Sequence, residues 1–232
     1  MEFENNLEQK PPVIIDNTKR GETVILFFWL VCVMSLISAI SNFFEWGLLN
    51  RLTEEYVSEE EATANDIRQF LIGLLVIGFN ITLIVTYLNW FRRAYGNLVR
   101  LKQYPLEYSE VEVAWSWFIP IVNLYKPYKA AREIVRYYRM KAMELTDDHK
   151  SSIDLTLLGI WWALWLIRNF TGNFVSRMTW SAEELDELIF ASELNIVSDL
   201  IDIPAAIAAI FVIKRITEDE KTLLKYLPFY QR

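Results

Sequence analysis

One cysteine, one histidine, seven glycines and seven prolines in 232 residues leave little material for several common chemistries. A lone Cys32 permits no intrachain disulfide, and one His (His149) with one Cys excludes the usual zinc constellations. The chain has no G-x-x-x-x-G-K-[ST], no G-x-S-x-G and no H-E-x-x-H. It therefore reads as a non-enzyme, with no catalytic, metal or cofactor-binding residue assigned and no cofactor expected. No low-complexity run marks a linker.

Charge, too, is missing over long stretches. Val24–Phe44 carries none over 21 residues and Gln69–Phe91 none over 23. Leu155–Ser176 carries only Arg168, and Ala191–Ile213 carries Glu193, Asp199 and Asp202. A helix needs about 20 apolar residues to cross a ~30 Å hydrocarbon core. All four runs are long enough. The composition predicts an all-α membrane protein built as a four-transmembrane-helix bundle, although a mean hydropathy of only +0.17 hides it. Acidic residues before Val24, the length of that run and the lack of an A-x-A site argue for a first span rather than a cleaved signal peptide.

Positive charge falls on one side. Arg92–Ser152 holds 11 of the 23 Lys and Arg, the N-terminus three and the C-terminal tail five. Glu45–Asp66 has one Arg against seven carboxylates, and Thr171–Phe190 one against four. The positive-inside bias then puts both termini in the cytoplasm. The domain plan is a cytoplasmic tail 1–22, one membrane domain 23–217 with a cytoplasmic segment 92–152, and a cytoplasmic tail 218–232. The acidic run Glu54-Glu55…Glu59-Glu60-Glu61 lacks calcium-loop spacing and reads as solvated charge or the start of an outer helix, capped by Ser58 or Thr63.

The segment 92–152 is too long for a simple loop. Its stretch VEVAWSWFIPIVNLYKPY has an apolar core, Val113–Tyr125, of 13 residues, too short to span and interrupted by Pro120. An interfacial or re-entrant helical hairpin is expected, with Trp117, Pro120, Asn123, Pro127 and Tyr128 as its motif. Lys126–Leu145 reads as a helix whose Lys129, Arg132, Arg136 and Arg139 lie on one face. That stripe either contacts anionic lipid headgroups or is a solvated face that fixes topology. Beyond charge, nothing suggests nucleic acid.

Trp90-Phe91-Arg92-Arg93-Ala94-Tyr95-Gly96-Asn97-Leu98, then Trp117-Phe118-Ile119-Pro120-Ile121-Val122-Asn123-Leu124 with Pro127-Tyr128, resemble the domain-of-unknown-function family numbered 4328. Trp161-Trp162-Ala163-Leu164-Trp165 and the stretch from Ser198 to Thr217 are similar to that family's last two helices. The resemblance covers roughly residues 60–217. It implies a bacterial integral protein of the cytoplasmic (inner) membrane and supplies no activity.

Ionisable residues within spans are functional candidates by default, because burying them unpaired is costly. Asp199 and Asp202 share one face of the last helix, followed by Pro204. Asn80 is the midpoint of Gln69–Phe91, as Asp202 is of Ala191–Ile213. Depth reckoning over Leu155–Ser176 places Arg168 nearer Asp199. An Arg168–Asp199 ion pair and an Asn80–Asp202 hydrogen bond are therefore expected. Ser35/Ala39 and Ala205/Ala209 offer close packing faces, Trp161, Trp162 and Trp165 packing and anchoring, and Phe43, Phe44, Trp46 and Trp180 outer-belt anchors.

Two functions fit. One is a scaffold or regulatory membrane component that binds lipid or an unknown membrane or cytoplasmic protein through 92–152. The other is a small ion- or proton-coupled transporter or channel using Asp199 and Asp202. Neither oligomeric state nor substrate follows from the sequence.

Overall fold

The computed structural model describes residues 14–53, 56–146 and 155–227, and among them every regular element is helical. The elements are α1 (Thr18–Leu52), α2 (Glu59–Leu101), α3 (Glu110–Trp115), a 3-10 turn (Val122–Leu124), α4 (Lys126–Leu145), α5 (Leu155–Ser181) and α6 (Leu185–Tyr226). Three of them, α1, α2 and α6, are long and apolar enough to cross a membrane. The expected fourth span, α5, is not among the three, because Arg168, two asparagines and four tryptophans dilute its aliphatic content.

Local chemistry sets several boundaries. The Ser58 hydroxyl accepts from the Glu61 N–H at 3.2 Å, so Ser58 caps α2 and the acids Glu59–Glu61 sit in its first turn, where the helix dipole favours them. Thr63 instead donates to the Glu59 carbonyl. Glu54, Glu55 and His149 lie outside the described residues. α2 stops at Leu101, where Lys102 takes a left-handed φ of 51° and Pro105 follows. Ser109 and Glu112 form a reciprocal capping box at the start of α3, and Pro127 stands in the first turn of α4. α6 continues unbroken through Pro204.

The chain divides into two compact units. The span unit comprises Glu22–Tyr87 and Thr156–Ile213. Its helices bury Ser35 and Ala39 on α1 and Ala205, Ala206 and Ala209 on α6, small residues that let backbones approach. Outward it displays Phe43, Phe44, Leu71, Leu74, Phe170 and Phe174. Such a surface is costly in water and suited to acyl chains.

The terminal unit comprises Met1–Gly21, Leu88–Leu155 and Lys214–Arg232. Over its described residues it has a conventional interior: Trp90, Phe91, Tyr95, Leu98, Ile134, Tyr138, Ile216 and Leu223 are all fully buried. Each large side chain contributes about 1.5–3 kcal/mol by burial. Residues assigned to the two tails belong to this packing. Asn17 is buried ahead of α1, and Asp219, Glu220 and Leu223 are buried in the last turns of α6.

Candidate functional site

Within the span unit, Arg168 stands at the midpoint of α5 (Leu155–Ser181). Its Nε donates to Asp202 Oδ1 at 2.7 Å and its Nη2 to Asp202 Oδ2 at 3.2 Å and Asn80 Oδ1 at 3.0 Å. This corrects the expected pairing. Arg168 bonds Asp202 and Asn80, not Asp199, because α5 runs five residues past Ser176 and its centre moves level with theirs. Asn80 reaches Asp202 only through the shared guanidinium; its own Nδ2 donates to the Val76 carbonyl at 2.9 Å.

Asp199 turns to another helix. Asn42 on α1 donates to Asp199 Oδ2 at 2.8 Å. The two carboxylates, three residues apart on α6, thus tie it to α1 on one side and to α5 and α2 on the other. Removing one partner of such a half-buried charge pair costs more than the pair contributes, because the other is left without its partner.

A further polar cluster, which sequence reasoning missed, joins the ends of α1, α2 and α6. Gln69 donates to Glu45 at 2.8 Å, Ser192 donates to Glu45 at 3.4 Å, and Arg68 Nε donates to Ser41 at 3.1 Å. The signal was available: Ser41, Asn42 and Gln69 are polar residues just inside otherwise apolar runs.

The terminal unit has its own buried polar centre, also missed. Asn97 clamps the chain ahead of α1. Its Oδ1 accepts from the Ile15 N–H at 2.9 Å, and its Nδ2 donates to the Ile15 carbonyl at 2.8 Å. The same Nδ2 donates to Glu220 Oε1 at 2.6 Å, and the Tyr138 hydroxyl donates to that oxygen at 3.3 Å and to the Ala94 carbonyl at 2.9 Å. Asn17 Nδ2 donates to the Trp90 carbonyl at 3.0 Å. Glu220 is fully buried, and its Oε2 has no donor among the described residues. Burial pushes its carboxyl up to about 7, with the Asn97 and Tyr138 hydrogen bonds pulling the other way.

Residues 108–128, where the interfacial hairpin is expected, form a firmly based apolar tip. Its base holds the Glu112–Lys126 ion pair at 3.3 Å, Lys126 over the Tyr108 ring, and Trp117 edge-on to Phe91 at 5.7 Å between centroids. From this base Trp115, Phe118, Ile119, Ile121, Leu124 and Tyr125 project, with Ile121 76% exposed. Pro120 lies exposed in the turn, Asn123 and Tyr128 are half-buried, and Pro127 is buried. On α4, Lys129, Arg132 and Arg136 are exposed and Arg139 half-buried, while Ile134 and Tyr138 face the interior. Lys129 also meets Glu107 at 3.7 Å.

A family model described as Domain of unknown function (DUF4328) matches residues 53–218. The chain belongs to this family. No curated protein and no solved structure matches it. The DUF4328 match includes Asn80, Arg168, Asp199 and Asp202, the apolar tip and Asn97. Asn42, Ile15, Asn17 and Glu220, which complete both polar centres, lie outside it. Among the described residues no three His, Cys, Asp or Glu side chains gather into a metal-ligand set.

Proposed function

We propose that this DUF4328 protein is a non-enzymatic scaffold or regulatory component of the bacterial inner membrane. It crosses the bilayer four times, keeps both termini in the cytoplasm and acts through its apolar tip. Bonds from the midpoint of α5 to the midpoints of the long apolar runs in α2 and α6 support α5 as the fourth crossing. The distribution of Lys and Arg supports the orientation.

The observation that carries the function is the tip itself. Residues 113–125 contain no charge, and six large apolar side chains project from a base braced by an ion pair and ring contacts. A patch of that kind marks an interaction surface. Its aromatic-aliphatic mix suits the headgroup boundary, and exposed Lys129, Arg132 and Arg136 on the following helix add attraction to anionic lipid, about 1 kcal/mol each.

The test attaches an environment-sensitive fluorophore to Ile121→Cys, in a Cys32→Ala background, in phosphatidylcholine–phosphatidylglycerol vesicles. Blue-shifted emission quenched by nitroxide-labelled lipid is expected, with Met143→Cys on α4 as the water-exposed comparison. Replacing Arg132 and Arg136 by Gln should reduce the dependence on phosphatidylglycerol. Emission at Ile121 as red as at Met143, without lipid quenching, would refute membrane contact.

A further inference from the structure

Beside the Arg168–Asp202 pair, within the span unit, lies a cleft of about 260 Å³ lined by Arg168, Asn169, Gly172, Asn173, Ser176, Ser198 and Asp202. Every lining residue is polar or glycine. Asn169, Asn173 and Ser176 fall at i, i+4 and i+7, so they form one face of α5. That face does not stop at the cleft. Thr179 on α5 and Asn195 on α6 continue it, joined by an Asn195 Nδ2 to Thr179 Oγ1 hydrogen bond at 3.1 Å. The seam covers twelve residues of α5 from Arg168 to Thr179, a rise of about 16 Å at about 1.5 Å per residue, close to half a hydrocarbon core.

Such a seam cannot face acyl chains without cost, because lipid offers its amides and hydroxyls no partner. Asn169 and Asn173 each satisfy one N–H on a backbone carbonyl one turn back, at 2.7 Å. Those bonds leave both Oδ1 atoms to find donors elsewhere. Arg168 Nη1 likewise has no protein acceptor among the described residues, since Asp202 and Asn80 take Nε and Nη2. The lining charges cancel, one guanidinium against one carboxylate, so the cleft has hydrogen-bonding capacity without net charge. A polar cavity of this volume has room for several waters and partners for them.

We infer that this cleft is a hydrated vestibule, open from the α5–α6 turn, that brings water and small hydrophilic solutes to the Arg168–Asp202 pair at mid-membrane depth. The inference does not depend on the apolar tip. It concerns a different unit and makes the protein a binder of small polar solutes as well as a membrane scaffold. The alternative cover for the same seam is a second copy, whose Asn and Ser side chains would be self-complementary to these.

Thiol accessibility separates the two. Methanethiosulfonates react with thiolates, which form in water and not among acyl chains. Single cysteines at Asn173, Ser176 and Ser198, in the Cys32→Ala background, would be treated in proteoliposomes with cationic and anionic membrane-impermeant methanethiosulfonates. Phe174→Cys is the control, since Phe174 is exposed at nearly the depth of Asn173 but points about 100° away around the helix. The vestibule predicts modification of the cleft positions at least 10-fold faster than of Phe174→Cys, by reagents of both signs. Equal slow rates at all four positions would overturn it. So would a spontaneous Asn173→Cys disulfide dimer that is protected from both reagents, which would assign the seam to a second copy.

Discussion

Replacing Glu220 by Gln should remove a pH dependence that the wild-type terminal unit carries. The Glu220 carboxyl has an ordinary value of 4.5 and is pushed to about 7, mainly by burial. Asp16 across the cluster pushes the same way, while Asn97, Tyr138 and Arg93 oppose it. Between 4.5 and 7 the folded state therefore holds a proton that the unfolded state has released. Stability is highest below 4.5, falls as pH rises through that window, and levels off above 7. The full loss is about 3 kcal/mol, and about 2 kcal/mol of it falls between pH 5.5 and 8. Gln keeps the acceptor for Asn97 and, like the protonated acid, carries no charge. The readout is hydrogen exchange at Ile15, whose N–H is held by Asn97 and so reports whether the clamp is closed. Comparing wild type with Glu220→Gln at each pH cancels the intrinsic exchange rate. Protection in the variant relative to wild type should rise about 30-fold between pH 5.5 and 8. A ratio that does not move with pH, or a variant less protected than wild type at pH 8, would refute a carboxyl held neutral by burial.

Two further substitutions probe packing and pairing. Arg168→Met should destabilise the detergent-purified protein by about 1–3 kcal/mol, because it leaves the half-buried Asp202 without its charged hydrogen-bond partner. Adding Asp202→Asn should recover most of that in the melting temperature; a double variant no better than the single would rule out the contact. At Gly21 a Cβ would lie 2.5 Å from Thr217 Oγ1 and 3.2 Å from Trp90 Nε1, so Gly21→Ala should cost about 1–3 kcal/mol. Thr217→Ala should relieve it. Gly47→Ala in the same helix meets nothing within 4 Å and should melt at or above wild type.

The long helices were legible because the scarcity of charge over about 20 residues is a one-dimensional signal. The bounds of α4, Lys126–Leu145, were legible because Pro127 marks its first turn and four basic residues keep helical spacing. Pairing needed a second number, where each helix ends. An error of five residues at the end of α5 moved Arg168 from Asp202 to Asp199 in the depth reckoning. Glu220 was illegible for a different reason. In Ile216-Thr217-Glu218-Asp219-Glu220-Lys221 it looks like one more solvated charge, and what buries it comes from 82 and 123 residues away. The available hint was periodicity, since Ile216, Glu220 and Leu223 fall at i, i+4 and i+7 on one face that the structure buries completely.

The two polar centres follow one physical rule in different settings. Asp202 and Glu220 are both carboxylates on α6, but only Asp202 has a cation bonded to it. The Arg168 guanidinium ties Asp202 to α5 through two hydrogen bonds, whereas Glu220, given only an amide and a phenol, moves towards its neutral form. The same helix thus carries an acid bonded to a neighbouring cation and another whose hold on the chain ahead of α1 weakens as pH rises towards 7. A reader of this sequence who asks of every acid where its nearest cation lies, and not only whether it sits in a span, would separate the two.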